Sequence, residues 1–395
     1  MASFDGSNKS VAGGAQHIAY HEAVTPYVQK LIDDAMANAS EEAIRFCNPT
    51  GYMGPDIECD AATLTPEQWL ARRQYNIGGS DCSAVFGENH FKNNLELYYQ
   101  KTGQKVLVED EESSSSVLAK VWGHLLEEYA DEWLKERYPY NDVLIDTNIY
   151  AMPGRPYITA NVDRMMRKPD GSYCLVEIKT TSEFNHEVWD DGNIPIPYLY
   201  QVRQYMAILG VWECVVVCVF GRDDVVANTV YRDLDEEMRI IQGVEDFWNN
   251  NVLAQIPPEP LGTADSVIST IRKYGGNAQK QIPVMKLDTQ TFEDACAEYM
   301  ALYTERAAAK KVFDDLDAQC KEKSVPFIAA LGQATVGSIE SGDGKTRWTV
   351  KYTPRKGARK VDYKKMEAVY PDVYAACVSQ DEEGSRTFKM TVTQM

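Results

Sequence analysis

The chain has 395 residues, 44% of them hydrophobic and 25% charged, with a net charge of −19. That is the balance of a folded chain, and the length exceeds what one ordinary core fills, so two or three domains are expected. The charge argues against a broadly basic surface that grips nucleic acid through its phosphates, and no apolar run reaches the roughly 18 residues that a membrane span needs.

Residues 1–24 are polar and rich in Gly and Ser and read as a mobile tail. Helical spacing follows over 25–46. Thr65-Pro66-Glu67 opens a further helix, with Thr65 as N-cap and Pro66 in its first turn. Gly78-Gly79 ends it, and Ser80-Asp81 offers a cap for the next. The acidic, Ser-rich stretch 109–116 is a surface loop. Residues 117–138 place Leu118, Val121, Trp122, Leu125, Leu126, Tyr129, Trp133 and Leu134 on the apolar side of a long amphipathic helix. Alternation predicts strands at 143–150 and 157–166. Pro169-Asp170-Gly171 then turns the chain into a strand over 172–179. Helices at 197–210 and 234–250 enclose strands at 213–220 and 225–232.

The Pro-rich segment 256–266 marks a domain boundary. Beyond it lies a charged helix over 287–323, half of a helical hairpin, with strands at 334–352 and 385–393. The expected fold class is α/β or α+β. The domains are an N-terminal extension (1–66), a core (67–255), a linker (256–286) and a smaller C-terminal α+β domain (287–395).

Nine cysteines, at 47, 59, 82, 174, 214, 218, 296, 320 and 377, are odd in number and form no CxxC pair. This speaks against a disulfide framework or zinc ribbon. No basic-then-apolar leader opens the sequence, so a cytoplasmic location is expected.

The segment 161–179 carries the chemistry. Glu177 and Lys179 are two apart on one strand and share a face. The short hairpin brings Asp163 beside that face. Adjacent carboxylates repel unless a cation lies between them, and Mg²⁺ is the hard, oxygen-seeking ion that fits. The carbonyl of Ile178 is placed to add a ligand. Lys179 can orient an attacking water or stabilise charge developing on a phosphate. Such a pattern alone is a weak signal, because Asp followed later by Glu-x-Lys arises often by chance. Positive charge is concentrated in 351–365, with seven Lys/Arg and one Asp. A solvated face explains that run as well as a DNA contact does.

Four ordered pieces strengthen the reading: 69–87 (WLARRQYNIGGSDCSAVFG) with 95–103 (LELYYQKTG), 122–128 (WGHLLEE), the strands bearing Asp163 and Glu177-Ile178-Lys179, and Trp189 followed by 194–210 (IPIPYLYQVRQYMAILG). In this order they resemble the YqaJ-type viral recombinase nucleases, relatives of phage lambda exonuclease in the PD-(D/E)xK superfamily. The resemblance spans about 67–250.

It implies a restriction-endonuclease-like core with a mixed central sheet flanked by helices. It also implies a metal-dependent deoxyribonuclease, a 5′→3′ exonuclease on double-stranded ends. In the family Glu127, with Glu128 as its competitor, faces the metal site. The implied metal ligands are Glu127, Asp163, Glu177 and Ile178, holding Mg²⁺, for which Mn²⁺ can substitute. The implied catalytic set is Glu127, Asp163, Glu177, Lys179 and Gln201. Arg73 and Ser80 are implied to hold the 5′-phosphate of a DNA end, and Tyr198 to border the DNA. The implied partners are duplex DNA, a single-strand annealing protein and further copies of the chain, in the cytoplasm of a bacterial host. An endonuclease or nickase on the same core, and a non-catalytic DNA- or partner-binding protein, are the alternatives.

Overall fold

The structure, a computed structural model, describes residues 24–104, 114–221, 224–275, 287–353 and 363–372. The tail before Val24, the centre of the basic run and the expected strand at 385–393 lie outside them. The chain divides into two units, with the break at Asn277/Ala278.

The first unit opens with two helices, α1 (Pro26–Asn38) and α2 (Glu41–Cys47), where helical spacing predicts one. Ser40 separates them: its hydroxyl accepts from the Ala43 amide, and its own amide donates to Asp235 at 3.0 Å. Strand β1 (Asp56–Asp60) follows, then α3 (Pro66–Arg73), whose Thr65 and Gln68 form a complete capping box. Next come α4 (Gly79–Val85), α5 (Asn94–Lys101) and the long α6 (Ser114–Arg137). Gly78, not Ser80, is the N-cap of α4.

The expected strand at 157–166 is two strands in two sheets. Strands β2 (Asp142–Leu144), β3 (Asn148–Met152), β4 (Arg155–Ala160), β5 (Arg164–Arg167) and β6 (Tyr173–Thr181) follow one another. Then come α7 (Ile196–Leu209), β7 (Glu213–Phe220), β8 (Asp224–Tyr231) and α8 (Leu234–Phe247). β1, β3 and β4 form a small antiparallel sheet, and β2-β5-β6-β7-β8 the main one. Asn161–Asp163 is the crossing between them. Main-sheet pairs are antiparallel except β6 with β7, which run parallel with α7 between them in sequence. The sheet is therefore mixed.

β7 is buried along its whole length, as its unbroken ECVVVCVF run requires of a central strand. Alternate residues divide between two cores. Leu175, Cys214, Val216 and Cys218 face α4, α7 and α8, while Cys174, Val176, Ile178, Val215 and Val217 face Ala130 and Leu134 of α6. Gly210 ends α7 at φ 72°, the left-handed cap that glycine adopts freely.

Residues 24–66 are not a separate extension. Val28 and Ile32 pack on Trp212, and β1 joins β3. The described part of the expected linker also belongs to this unit. Helix α9 (Ala264–Gly275) is tied to α5 through Asn93 with Ser266 and Thr270, through Lys273 with Glu96, and by Tyr99 stacked on Tyr274. Pro257, Pro258 and Pro260 therefore mark a turn onto the core, with Asn94 holding the Glu259 carbonyl.

In the second unit α10 (Thr289–Leu331) is one helix of 43 residues, where sequence spacing predicts a shorter arm of a hairpin. An antiparallel pair, β9 (Val336–Glu340) and β10 (Arg347–Lys351), and the short α11 (Tyr363–Val369) complete its described elements. Among the described residues no helix is long and apolar enough to cross a membrane.

Candidate active site

The β5–β6 pairing runs from Arg167/Tyr173 to Arg164/Val176 and stops. The next amide along β6 on that edge, Ile178 N–H, is taken by the Asp163 carboxylate at 2.8 Å. Asp163 thus caps the end of a strand pair, which anchors it against β6. On the face of β6 that α7 covers, Lys179 Nζ donates to Glu177 Oε1 at 2.5 Å and to Gln201 Oε1 at 3.1 Å. Gln201 Nε2 donates to the same Glu177 oxygen and to Tyr205 Oη at 3.2 Å. The ammonium of Lys179 lies 4.9 Å over the Tyr198 ring, which stacks on Trp189.

Tyr198, Gln201 and Tyr205 fall on one face of α7, because three- and four-residue steps return to the same side of a helix. Glu177 is 2% exposed and Gln201 6%. Glu177 Oε2 is buried with no hydrogen-bond partner. Burial, and then the charge of Asp163, push the Glu177 carboxyl up to about 8, against Lys179 and Gln201, which favour its charged form. Asp163 is raised by burial as well, despite Lys179 and the Ile178 amide. Burial opposes the charge on Lys179, but Glu177 and Asp163 outweigh it and raise its ammonium.

The site is therefore short of positive charge. Two carboxylates share one ammonium, and one buried oxygen is left over. A divalent ion supplies what is missing, and Mg²⁺ commonly binds through one or two carboxylates with water in its remaining positions. The residues present fit such an ion.

Glu127 comes from a different element. Among the described residues no three acidic, His or Cys groups come together as a metal cluster. Glu127 lies on α6, which covers the other face of the sheet, and its carboxylate is 3.7 Å from Arg164. Arg164 also makes a two-pronged contact with Asp131 and donates to the Asp163 carbonyl. Arg164 and Asp131 were not singled out in the sequence. Their link spans 33 residues and leaves no local pattern. The Ile178 contact seen at Asp163 is through its amide.

Arg73 and Ser80 do meet. Arg73 Nη2 donates to Ser80 Oγ at 3.1 Å, and its guanidinium lies 4.9 Å over Trp69. Both line a pocket of about 170 Å³ with Trp69, Asn76 and Tyr205. Tyr205 thus belongs to both places: it walls this pocket and binds Gln201. Gly79 permits the approach, since a Cβ there would stand 2.4 Å from the Tyr205 ring. Tyr205 has a sequence signal, four residues after Gln201 on one helix face.

Residues 68–211 match the YqaJ-like viral recombinase domain. Over that stretch the chain is similar to this family. Both clusters, Arg73/Ser80 and Asp163/Glu177/Lys179/Gln201, lie inside it. The chain is 29% identical over 314 residues to the uncharacterized protein YqaJ of Bacillus subtilis (strain 168), covering 79% of this chain and 90% of that protein. Among solved structures, the alkaline exonuclease LHK-Exo of Laribacter hongkongensis is 22% identical with a TM-score of 0.39, over 48% of this chain and 94% of that one. A phage related exonuclease from Haemophilus somnus 129PT is 12% identical with a TM-score of 0.30, over 46% and 96%.

Proposed function

We propose that the chain is a Mg²⁺-dependent deoxyribonuclease that degrades double-stranded DNA 5′→3′ from its ends, leaving 3′ single strands for an annealing protein. The observation that carries this reading is the buried, unpartnered Glu177 Oε2 beside Asp163, with Lys179 and Gln201 fixed on the same carboxylate. Asp163 and Glu177 would hold Mg²⁺ or Mn²⁺, which lowers the pKa of a bound water and polarises a phosphoryl oxygen.

The protein groups then divide the remaining work. Lys179, kept charged by its two carboxylate neighbours, stabilises negative charge that develops on the scissile phosphate. Gln201, a neutral amide, orients Lys179 and Glu177 without adding charge. The Tyr198 ring under Lys179 limits where the ammonium can move. Arg73 and Ser80 hold the 5′-phosphate of the end through charge-assisted hydrogen bonds. Glu127, paired with Arg164, acts on Asp163 from behind by fixing the guanidinium that grips its backbone.

The test is degradation of a linear duplex with Mg²⁺, carrying 5′-phosphate or 5′-hydroxyl ends, beside a closed circle. Loss of the linear DNA alone, faster with 5′-phosphate, is the expected result. Cutting of the circle would make the chain an endonuclease, and no cleavage of either would leave a binding protein on a nuclease fold.

A further inference from the structure

Asp81 stands directly behind the Arg73/Ser80 pocket, and its side chain is 1% exposed. Oδ1 accepts from Arg73 Nη2 at 3.0 Å and from Lys92 Nζ at 2.9 Å. Oδ2 accepts from Lys101 Nζ at 2.7 Å, and Lys101 also donates to the Arg73 carbonyl at 2.6 Å. Arg73 is thus held at both ends. Its backbone is bound by Lys101, its guanidinium by Asp81 and Ser80, and Trp69 covers the guanidinium plane.

The count of charges is unusual for an ion pair built only for stability. One buried carboxylate needs one cation, and a buried charge without compensation is costly. Here three cations meet one anion, and the Lys101 side chain is itself only 3% exposed. The surplus is two positive charges beside a pocket that Arg73 and Ser80 line. A terminal phosphate monoester carries nearly two negative charges at neutral pH. An internal phosphodiester carries one per phosphate.

We propose that Asp81 is the positioning residue that aims Arg73 into this pocket. Lys92 and Lys101 offset its charge, so that the pocket keeps a surplus of two and selects a terminal phosphate monoester over a diester. The inference rests on the end-binding part of the nuclease reading and adds to it the source of the selectivity.

The test is binding by the full chain, with Ca²⁺ in place of Mg²⁺, to fluorescent short duplexes ending in 5′-phosphate, 5′-methyl phosphate or 5′-hydroxyl. Wild type should bind them in that order of decreasing affinity. Asp81→Asn should shrink the ratio of 5′-phosphate to 5′-hydroxyl affinity by about tenfold, the scale of one hydrogen bond to a charged group. Lys92→Met, which reduces the surplus to one, should shrink the ratio of 5′-phosphate to 5′-methyl phosphate.

A purely structural role for the cluster would weaken all three duplexes together and leave both ratios intact, which would overturn the proposal. So would a larger ratio in Asp81→Asn, which would mean that the carboxylate competes with the phosphate for Arg73. Wild type without any preference would remove the end-binding reading and this inference together. A wild-type preference that both variants retain would remove only this inference. The Lys92 side chain is 21% exposed, so Lys92→Met decides the matter if Asp81→Asn does not fold.

Discussion

Two buried carboxylate centres border helix α7, and their charge balances are opposite. At one, Asp163 and Glu177 face a single ammonium, both carboxyls are raised, and Glu177 reaches about 8. At the other, burial again opposes ionisation, but Lys101, Lys92 and Arg73 outweigh it and hold Asp81 well below the usual carboxylate range. Burial pushes in the same direction in both places, so the number of opposite charges decides the outcome. The first centre is short of positive charge and the second has it in surplus. A metal-dependent enzyme acting on phosphorylated ends needs one of each, side by side. On the proposed reading this also answers the objection raised by the net charge of −19, because a local cluster of cations beside one pocket needs no broadly basic surface.

The comparison can be broken at several points. The largest effect is expected on cleavage. Lys179→Ala or Asp163→Ala should lower Mg²⁺-dependent degradation by roughly a thousandfold or more, with a folded circular dichroism spectrum. Either variant cleaving at the wild-type rate would show that this centre is not where the chemistry happens.

The next effect is on stability at the cation-rich centre. Asp81→Asn should cost about 3 kcal/mol at pH 7, since it leaves buried ammonium groups short of their partner. The folded pKa of Asp81 lies below its unfolded value near 3.8. Its contribution is therefore present above that value and lost as pH falls through the folded one. Urea unfolding of wild type and variant should converge in acid, and a gap that persists there would point to packing instead of charge.

The smallest effect carries the opposite sign. In the metal-free chain Glu177 titrates at about 8, above its unfolded value of 4.5. Between those two values the folded state binds more protons, so stability falls as pH rises across the window. Glu177→Gln should remove that slope and stabilise the chain in EDTA by about 2 kcal/mol at pH 8. Urea unfolding at pH 5 and pH 8 measures it, and an unchanged slope would show that the carboxylate is not buried as described.

How much of this could be read from the sequence depended on how far apart the partners lie along the chain. Glu177 and Lys179 are two residues apart on a strand, and Tyr198 and Gln201 three apart on a helix. Those spacings state a shared face directly. A short turn reaches Asp163, although the crossing at Asn161–Asp163 between two sheets was hidden inside one continuous alternation. Asp81 with Lys92 and Lys101 was not visible, because its partners are 11 and 20 residues away on other elements. Glu127 shows the limit from the other side. Resemblance nominated it for the metal, and its helix packs on the far face of the main sheet with the carboxylate 3.7 Å from Arg164, so no local spacing links it to Asp163. The Pro-rich stretch after 256 opens the expected linker, inside which the break at Asn277/Ala278 falls, but proline does not tell whether the chain first packs back onto the core.

Helix α7 has one further consequence. Tyr198 lies beneath Lys179, Gln201 holds Glu177, Gln204 binds the carbonyls of Ile77 and Thr159, and Tyr205 walls the end pocket. These contacts span eight residues of one helix, about 10 Å of rise. On the proposed reading the helix acts as a ruler: its fixed rise sets the spacing between the Tyr205 wall of the end pocket and the Gln201 contact to Glu177.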